Sequence, residues 1–187
     1  MRIASFAPYK EHETRLRDQT RHMQADRLIF RDAMSQLGSA VCVIGTNGKA
    51  GRYGITVSAV TSVSDEPPSL IVCVNRGSGA NAPIKQNGQL CVNVLAFDQQ
   101  PVSDAFSSPA IAPEERFGTG EWSESALGNP KLENTAAYFD CEVDKAVEYG
   151  THTVFFCRVA DVNVSNKRNC LIYHGRAYHG LRSMTER

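Results

Sequence analysis

The chain has 187 residues, 42% of them hydrophobic and 21% charged, which is the usage of an ordinary globular domain and excludes a disordered chain. Twenty Lys plus Arg balance twenty Asp plus Glu, so the basic footprint of a general nucleic-acid binder is missing. No apolar run approaches the roughly 18 residues of a membrane-spanning helix, and the N-terminus has no apolar signal segment, so a single cytoplasmic domain is expected.

Residues 1–27 carry ten charges and few large apolar side chains and read as an N-terminal extension, with the domain proper over 28–187. Phe30, Ala33, Met34 and Leu37 recur at helical spacing and mark one face of a short helix ending at Gly38. The period then changes to that of strands. These are predicted at 40–45, 53–60, 69–74, 90–95, 138–147 and 152–164, with a closing pair at 171–173 and 176–179. Within 46–49, Asn47-Gly48 has the chemistry of a hairpin turn, because glycine accepts positive φ; His174-Gly175 turns the last pair. Short helices are predicted at 79–87 and 98–106, the second with Asp98 as N-cap and Pro101 in its first turn. Residues 107–135 are rich in Pro, Gly, Ser and Glu, have no period, and read as a long loop. Parallel crossovers need longer helices than these. The pattern is therefore mainly β: a closed or nearly closed antiparallel barrel with a few short helices.

Six cysteines form no C-x-x-C pair, and five lie in apolar stretches, so they read as reduced thiols used as small core residues. No spacing of His, Cys or carboxylates reads as a metal site, and no nucleophile or carboxylate pair stands out as catalytic. Gly77-Ser78-Gly79-Ala80-Asn81-Ala82 has the form G-x-G-x-x-A, with Asp98 twenty-one residues after Gly77. A dinucleotide-binding reading fails because the following helix is short, contains Pro83, and has no parallel α/β framework around it. The same glycines can still offer backbone N–H groups to a phosphate.

The run Gly54-Ile55-Thr56-Val57-Ser58-Ala59-Val60-Thr61-Ser62-Val63-Ser64 is more informative. Hydroxyls at 56, 58, 62 and 64 share one parity, so on a single extended strand they line one side. Such a row of neutral donors and acceptors suits a planar heteroaromatic ligand with carbonyls on its rim; a solvated barrel face would look the same. Phe30-Arg31-Asp32-Ala33-Met34, Pro67-Pro68-Ser69-Leu70, the strand at 90–95, Gly150-Thr151-His152 and Tyr178-His179 accompany it in order. Over about residues 28–181 the chain thereby resembles the flavin reductase branch of the FMN-binding split barrels, the small NAD(P)H:flavin oxidoreductases of two-component monooxygenases.

That resemblance implies an antiparallel split β-barrel that binds FMN or FAD and takes NADH or NADPH as co-substrate. It also implies a homodimer that supplies reduced flavin to a separate flavin-dependent monooxygenase. By the same resemblance, Arg52, Tyr53, Gly54, Ile55, Thr56, Ser58 and Ala59 edge the isoalloxazine and ribityl chain. Cys73, Val74 and Asn75 line the same pocket, and Ser78, Gly79 and Ala80 approach the phosphate. Phe106 lies near the flavin, and His152 meets the nicotinamide, with Thr151 standing where the family carries aspartate. Two other readings share the fold: an electron-carrying FMN protein without turnover, and a reductase of another acceptor such as a cobalt corrinoid.

Overall fold

The computed structural model describes residues 25–166 and 169–181, and the chain divides into two compact units, Met1–Leu37 and Gly38–Arg187. In the first, helix α1 (Arg27–Ser35) is capped by Asp26, whose carboxylate accepts from the backbone N–H groups of Leu28 at 2.7 Å and Ile29 at 3.1 Å. Its apolar residues Leu28, Ile29, Phe30 and Met34 are exposed.

The second unit begins with β1 (Ser39–Ala40), β2 (Cys42–Thr46), β3 (Tyr53–Val57), β4 (Val60–Asp65) and β5 (Pro68–Asn75). Helix α2 (Asn81–Asn87), β6 (Gln89–Val94) and helix α3 (Gln100–Ser107) follow, then β7 (Trp122–Glu124) and β8 (Pro130–Leu132). The chain finishes with the long strands β9 (Ala137–Tyr149) and β10 (His152–Val164), then β11 (Leu171–His174) and β12 (Ala177–Gly180). Seven strands form one sheet in the order β3-β2-β6-β9-β10-β5-β4, every pair antiparallel.

The two edges of that sheet, β3 and β4, are consecutive in the chain and joined by Ser58-Ala59 alone. Three residue steps span at most about 11 Å, so the sheet must curl until its edges meet. The result is a barrel left open along one seam. Alternation along each strand fills the interior with Ile44, Leu70, Val72, Val74, Leu90, Val92, Cys141, Phe155 and Cys157. A second core covers the outer face of β2: Val41, Val43 and Leu95 pack with Val102, Ala105 and Phe106 of α3, Leu132 of β8 and Leu171 of β11. All six cysteines are free thiols, four of them buried, as their apolar settings predict.

Several predicted boundaries move. The stretch 53–60 is two strands, because the backbone leaves β3 at Ser58-Ala59 and Ala59 O accepts from Cys73 N at 3.0 Å. Hydroxyls 56, 58, 62 and 64 therefore do not share one face, since β4 also carries a register shift between Ser62 and Ser64. The first turn is longer than 46–49, running from Thr46 to Tyr53, because Asn87 reaches in to accept from Ala50 N at 2.8 Å and donate to Gly51 O at 3.0 Å. Asp98 is not the cap of α3: it lies inside a 3-10 turn, Phe97–Gln99, and Gln99 Oε1 accepts from Ala96 N at 2.9 Å.

The predicted loop 107–135 contains a 3-10 turn, Glu115–Gly118, and the β7–β8 hairpin. Buried polar groups stitch that hairpin to the barrel. Asn93 donates to Val43 O at 3.1 Å and Pro130 O at 3.2 Å, and accepts from Leu132 N at 2.8 Å. Asp140, fully buried, accepts from Leu127 N at 2.8 Å and Asn129 Nδ2 at 2.9 Å.

Candidate functional site

The positions that the resemblance marks fall into four groups. Tyr53 and Ile55 pack against the barrel interior with Val74 and Ala80, so the last two, buried, could offer a ligand little beyond backbone. Arg52, Gly54 and Phe106 belong to the covered outer face. Phe106 is 1% exposed and packs edge-on against Phe117, with ring centroids 5.0 Å apart, and against Trp122 at 5.2 Å. Gly54 lies directly under it: an added Cβ would overlap the Phe106 ring. The Arg52 guanidinium rests 4.0 Å over Phe117; burial there pulls it below its ordinary pKa, and nearby Glu124 opposes the shift. Phe106 thus shapes the wall behind β3 and has no open face, while Arg52 is turned toward an aromatic ring.

The third group is clustered and open. Register places Asn75 of β5 directly opposite His152 of β10, with Cys73 opposite Val154, and same-register partners share a face. Cys73 N ties the seam residue Ala59 to this end of the sheet. Burial raises the Cys73 thiol pKa, so it stays protonated at neutral pH. His152 is exposed, and its Nδ1 lies 2.9 Å from the Thr151 hydroxyl, so the residue at the aspartate position fixes the ring without adding charge.

The loop after β5 is anchored from below. Asn75 Oδ1 accepts from Gly77 N at 2.8 Å, and Arg76 N donates to Thr151 O at 2.9 Å. Asn81, buried, donates to Val74 O at 3.1 Å and accepts from Thr153 Oγ1 at 3.3 Å. Among the described residues, the Ser78 hydroxyl is the buried side-chain polar atom with no hydrogen-bond partner. Buried hydroxyls are normally satisfied, and one left unpaired costs about 1–3 kcal/mol. It sits on a glycine-flanked loop made rigid by Asn75 and Asn81. Such an atom fits a ligand that brings an acceptor, and a phosphate group brings several.

On the other side of the seam, Thr56 and Ser58 border a cavity of about 260 Å³ with Val41, Tyr173 and Tyr178. Its hydroxyls are linked: Thr56 donates to Ser103 O at 2.8 Å, and the Tyr178 hydroxyl lies 2.9 Å from Ser103 Oγ and 3.1 Å from Asp104 Oδ1. Burial raises the Tyr178 pKa. The residue-by-residue reading missed Arg76, Asn81 and Tyr178 as parts of the site region. Asn81 carried the one available signal, an amide at the third position after Ser78 where a loop meets a helix.

Across the outer face of β5, β10 and β9 runs an apolar strip: Ile71, Cys73, Val154, Phe156 and Val147 share that face by register. Phe156 and Val147 are each 37% exposed, and among the described residues of the second unit no helix covers them as α3 covers β2.

The chain is similar to known proteins over most of its length. The pattern of the flavin reductase like domain matches residues 34–182. The FMN reductase (NADH) RutF of Ancylobacter novellus is 45% identical over 157 residues, which is 84% of this chain and 86% of that protein. Among solved structures, the flavin reductase component BorF of a bacterial two-component tryptophan halogenase superposes with a TM-score of 0.79 at 28% identity, over 84% of this chain and 99% of that one. The flavin reductase of styrene monooxygenase from Pseudomonas putida gives a TM-score of 0.72 at 28% identity, over 82% and 97%.

Proposed function

This chain belongs to the flavin reductase like domain family, and we propose that it is an NADH-dependent FMN reductase whose reduced flavin serves a separate monooxygenase. Identity to an FMN reductase (NADH) along most of both chains supports that choice of flavin and nicotinamide. Neighbours that are reductase components of two-component systems support an oxygenase partner reached by diffusible flavin. The observation that carries the reading is the unpaired Ser78 hydroxyl on its rigid loop, at the end of the strand that also presents Cys73 and Asn75.

When bound, the flavin accepts hydride from the nicotinamide and carries the redox chemistry; the protein supplies binding and orientation. Ser78 and the glycines beside it hold the phosphate. Ser58 and Ala59 at the seam, with Cys73 and Asn75 across from them, border the ring system. His152, oriented by Thr151, meets the nicotinamide from the facing strand. The exposed strip on β5, β10 and β9 supports a homodimer, because an apolar face of this kind is normally covered.

Steady-state oxidation of NADH with FMN in large excess over protein tests the reading. Consumption that continues for many equivalents of protein is the expected result. Reduction of one bound equivalent followed by arrest would favour an electron carrier, and indifference to FMN would overturn the assignment.

A further inference from the structure

The cavity that Thr56 and Ser58 border also has an aromatic wall. Tyr173 of β11 and Tyr178 of β12 are register partners, their rings edge-on with centroids 5.4 Å apart. They line the cavity together with Val41 and Val57, and none of its eight lining residues is charged. Its volume is about 260 Å³; an apolar cavity of about 150 Å³ already takes a benzene ring.

Four hydroxyl groups of this lining commit their hydrogens within the chain. Thr56 donates to Ser103 O at 2.8 Å, and Ser107 donates to Asp104 O at 3.1 Å. Tyr178 gives its single hydrogen to Asp104 Oδ1 at 3.1 Å, since a carboxylate only accepts. The 2.9 Å contact between Ser103 Oγ and the Tyr178 oxygen is then a bond that Ser103 donates. Burial raises the Tyr178 pKa, opposed by the Ser103 bond and reinforced by Asp104, so the phenol keeps its hydrogen through the neutral range. What these residues offer a ligand is aromatic and aliphatic carbon with oxygen lone pairs, and few donors.

A flavin ring has two unlike ends. The pyrimidine rim carries two carbonyl oxygens and needs donors, so burying it against lone pairs would leave those oxygens unpaired. The benzenoid end carries two methyl groups, needs no donor, and gains from burial. We propose that Tyr178, with Tyr173, forms a subsite for the methyl-bearing end of the flavin ring and so sets which end enters this cavity. This rests on the reading of the chain as a flavin reductase with Ser58 bordering the ring. Fastening the last hairpin to α3 is a different task, and it would affect all flavins alike.

The test is a cycle in protein and ligand, read by fluorescence titration of the full chain. The ligands are FMN and 7,8-didemethyl-FMN, which lacks only the two methyl groups. Wild type should bind FMN about tenfold more tightly, the effect of burying two methyl groups. In Tyr178→Ala the preference should fall to about threefold or less, the coupling expected of groups in contact. Tyr178→Phe keeps the ring and should stay within about twofold of the wild-type preference. Tyr173→Ala, at a ring 38% exposed, repeats the comparison at a site where truncation is safer for folding. A wild type that binds both flavins equally would overturn the subsite. So would a preference that survives both alanine variants, including one in which both flavins weaken by the same factor. Wild-type protein that binds neither flavin would instead defeat the flavin-reductase reading itself.

Discussion

The two outer faces of the barrel use their polar groups in opposite ways. On the face covered by α3 and the β7–β8 hairpin, Asn93, Asn129 and Asp140 are buried and every one is bonded within the chain. On the face of β5 and β10, Asn75 and His152 are exposed, and the Ser78 hydroxyl is buried without a partner. A polar group satisfied internally stabilises a fold; one left unpaired weakens it unless something else binds there. Under the proposed function, the contrast separates the half of the molecule that builds the scaffold from the half that would bind the flavin.

Substitutions on the two faces should therefore differ in kind, with the largest effects on unfolding at the covered face. Asp140→Ala removes an acceptor and orphans Leu127 N and Asn129 Nδ2. It should cost about 3 kcal/mol, read as a lower urea midpoint at unchanged m. Gly54→Ala drives a methyl group into the Phe106 ring and should cost about 2 kcal/mol by overpacking, read in the same way.

The buried thiols give a pH dependence. Burial pushes Cys42 and Cys157 up to about 12, whereas an unfolded thiol titrates near about 8.5. Folding favours their protonated form, so this contribution is complete below the unfolded value and is lost as pH rises from there toward 12. Urea midpoints should fall between pH 7.5 and pH 10, and they should fall less in Cys42→Ala/Cys157→Ala.

His152→Ala, on the open face, should leave the midpoint within about 0.5 kcal/mol. Its signature is a KM for NADH raised about fivefold with kcat less affected, the loss of a binding contact rather than of chemistry. An unchanged KM would remove His152 from the nicotinamide site.

The same division explains what could be read in the sequence. Strands such as 90–95 and 152–164 were legible because alternation reports burial, and burial is what those strands do. The break at Ser58-Ala59 was not, because nothing local ends β3 there: the curl that closes the barrel does, and it is fixed by Cys73 fourteen residues on. The β7–β8 hairpin was hidden for a similar reason. Its strands are three residues each, too short for a period, and they are held by Asn93 and Asp140 on other strands. Cys73, Val74, Asn75, Ser78, Gly79, Ala80 and His152 could be named through family resemblance, but the facing register of Asn75 and His152 needed the folded sheet. For Phe106 the resemblance gave a position but not its setting, which is buried beneath β3 against Gly54.

Ser78→Ala, followed by FMN titration and urea unfolding on the same preparations, tests the central claim most directly. The account predicts weaker FMN binding, by about tenfold for a lost bond to a charged group, together with an unfolding midpoint that is unchanged or slightly raised because an unpaired hydroxyl has been removed. FMN affinity equal to wild type, or a clear loss of stability, would contradict it and return Ser78 to the scaffold.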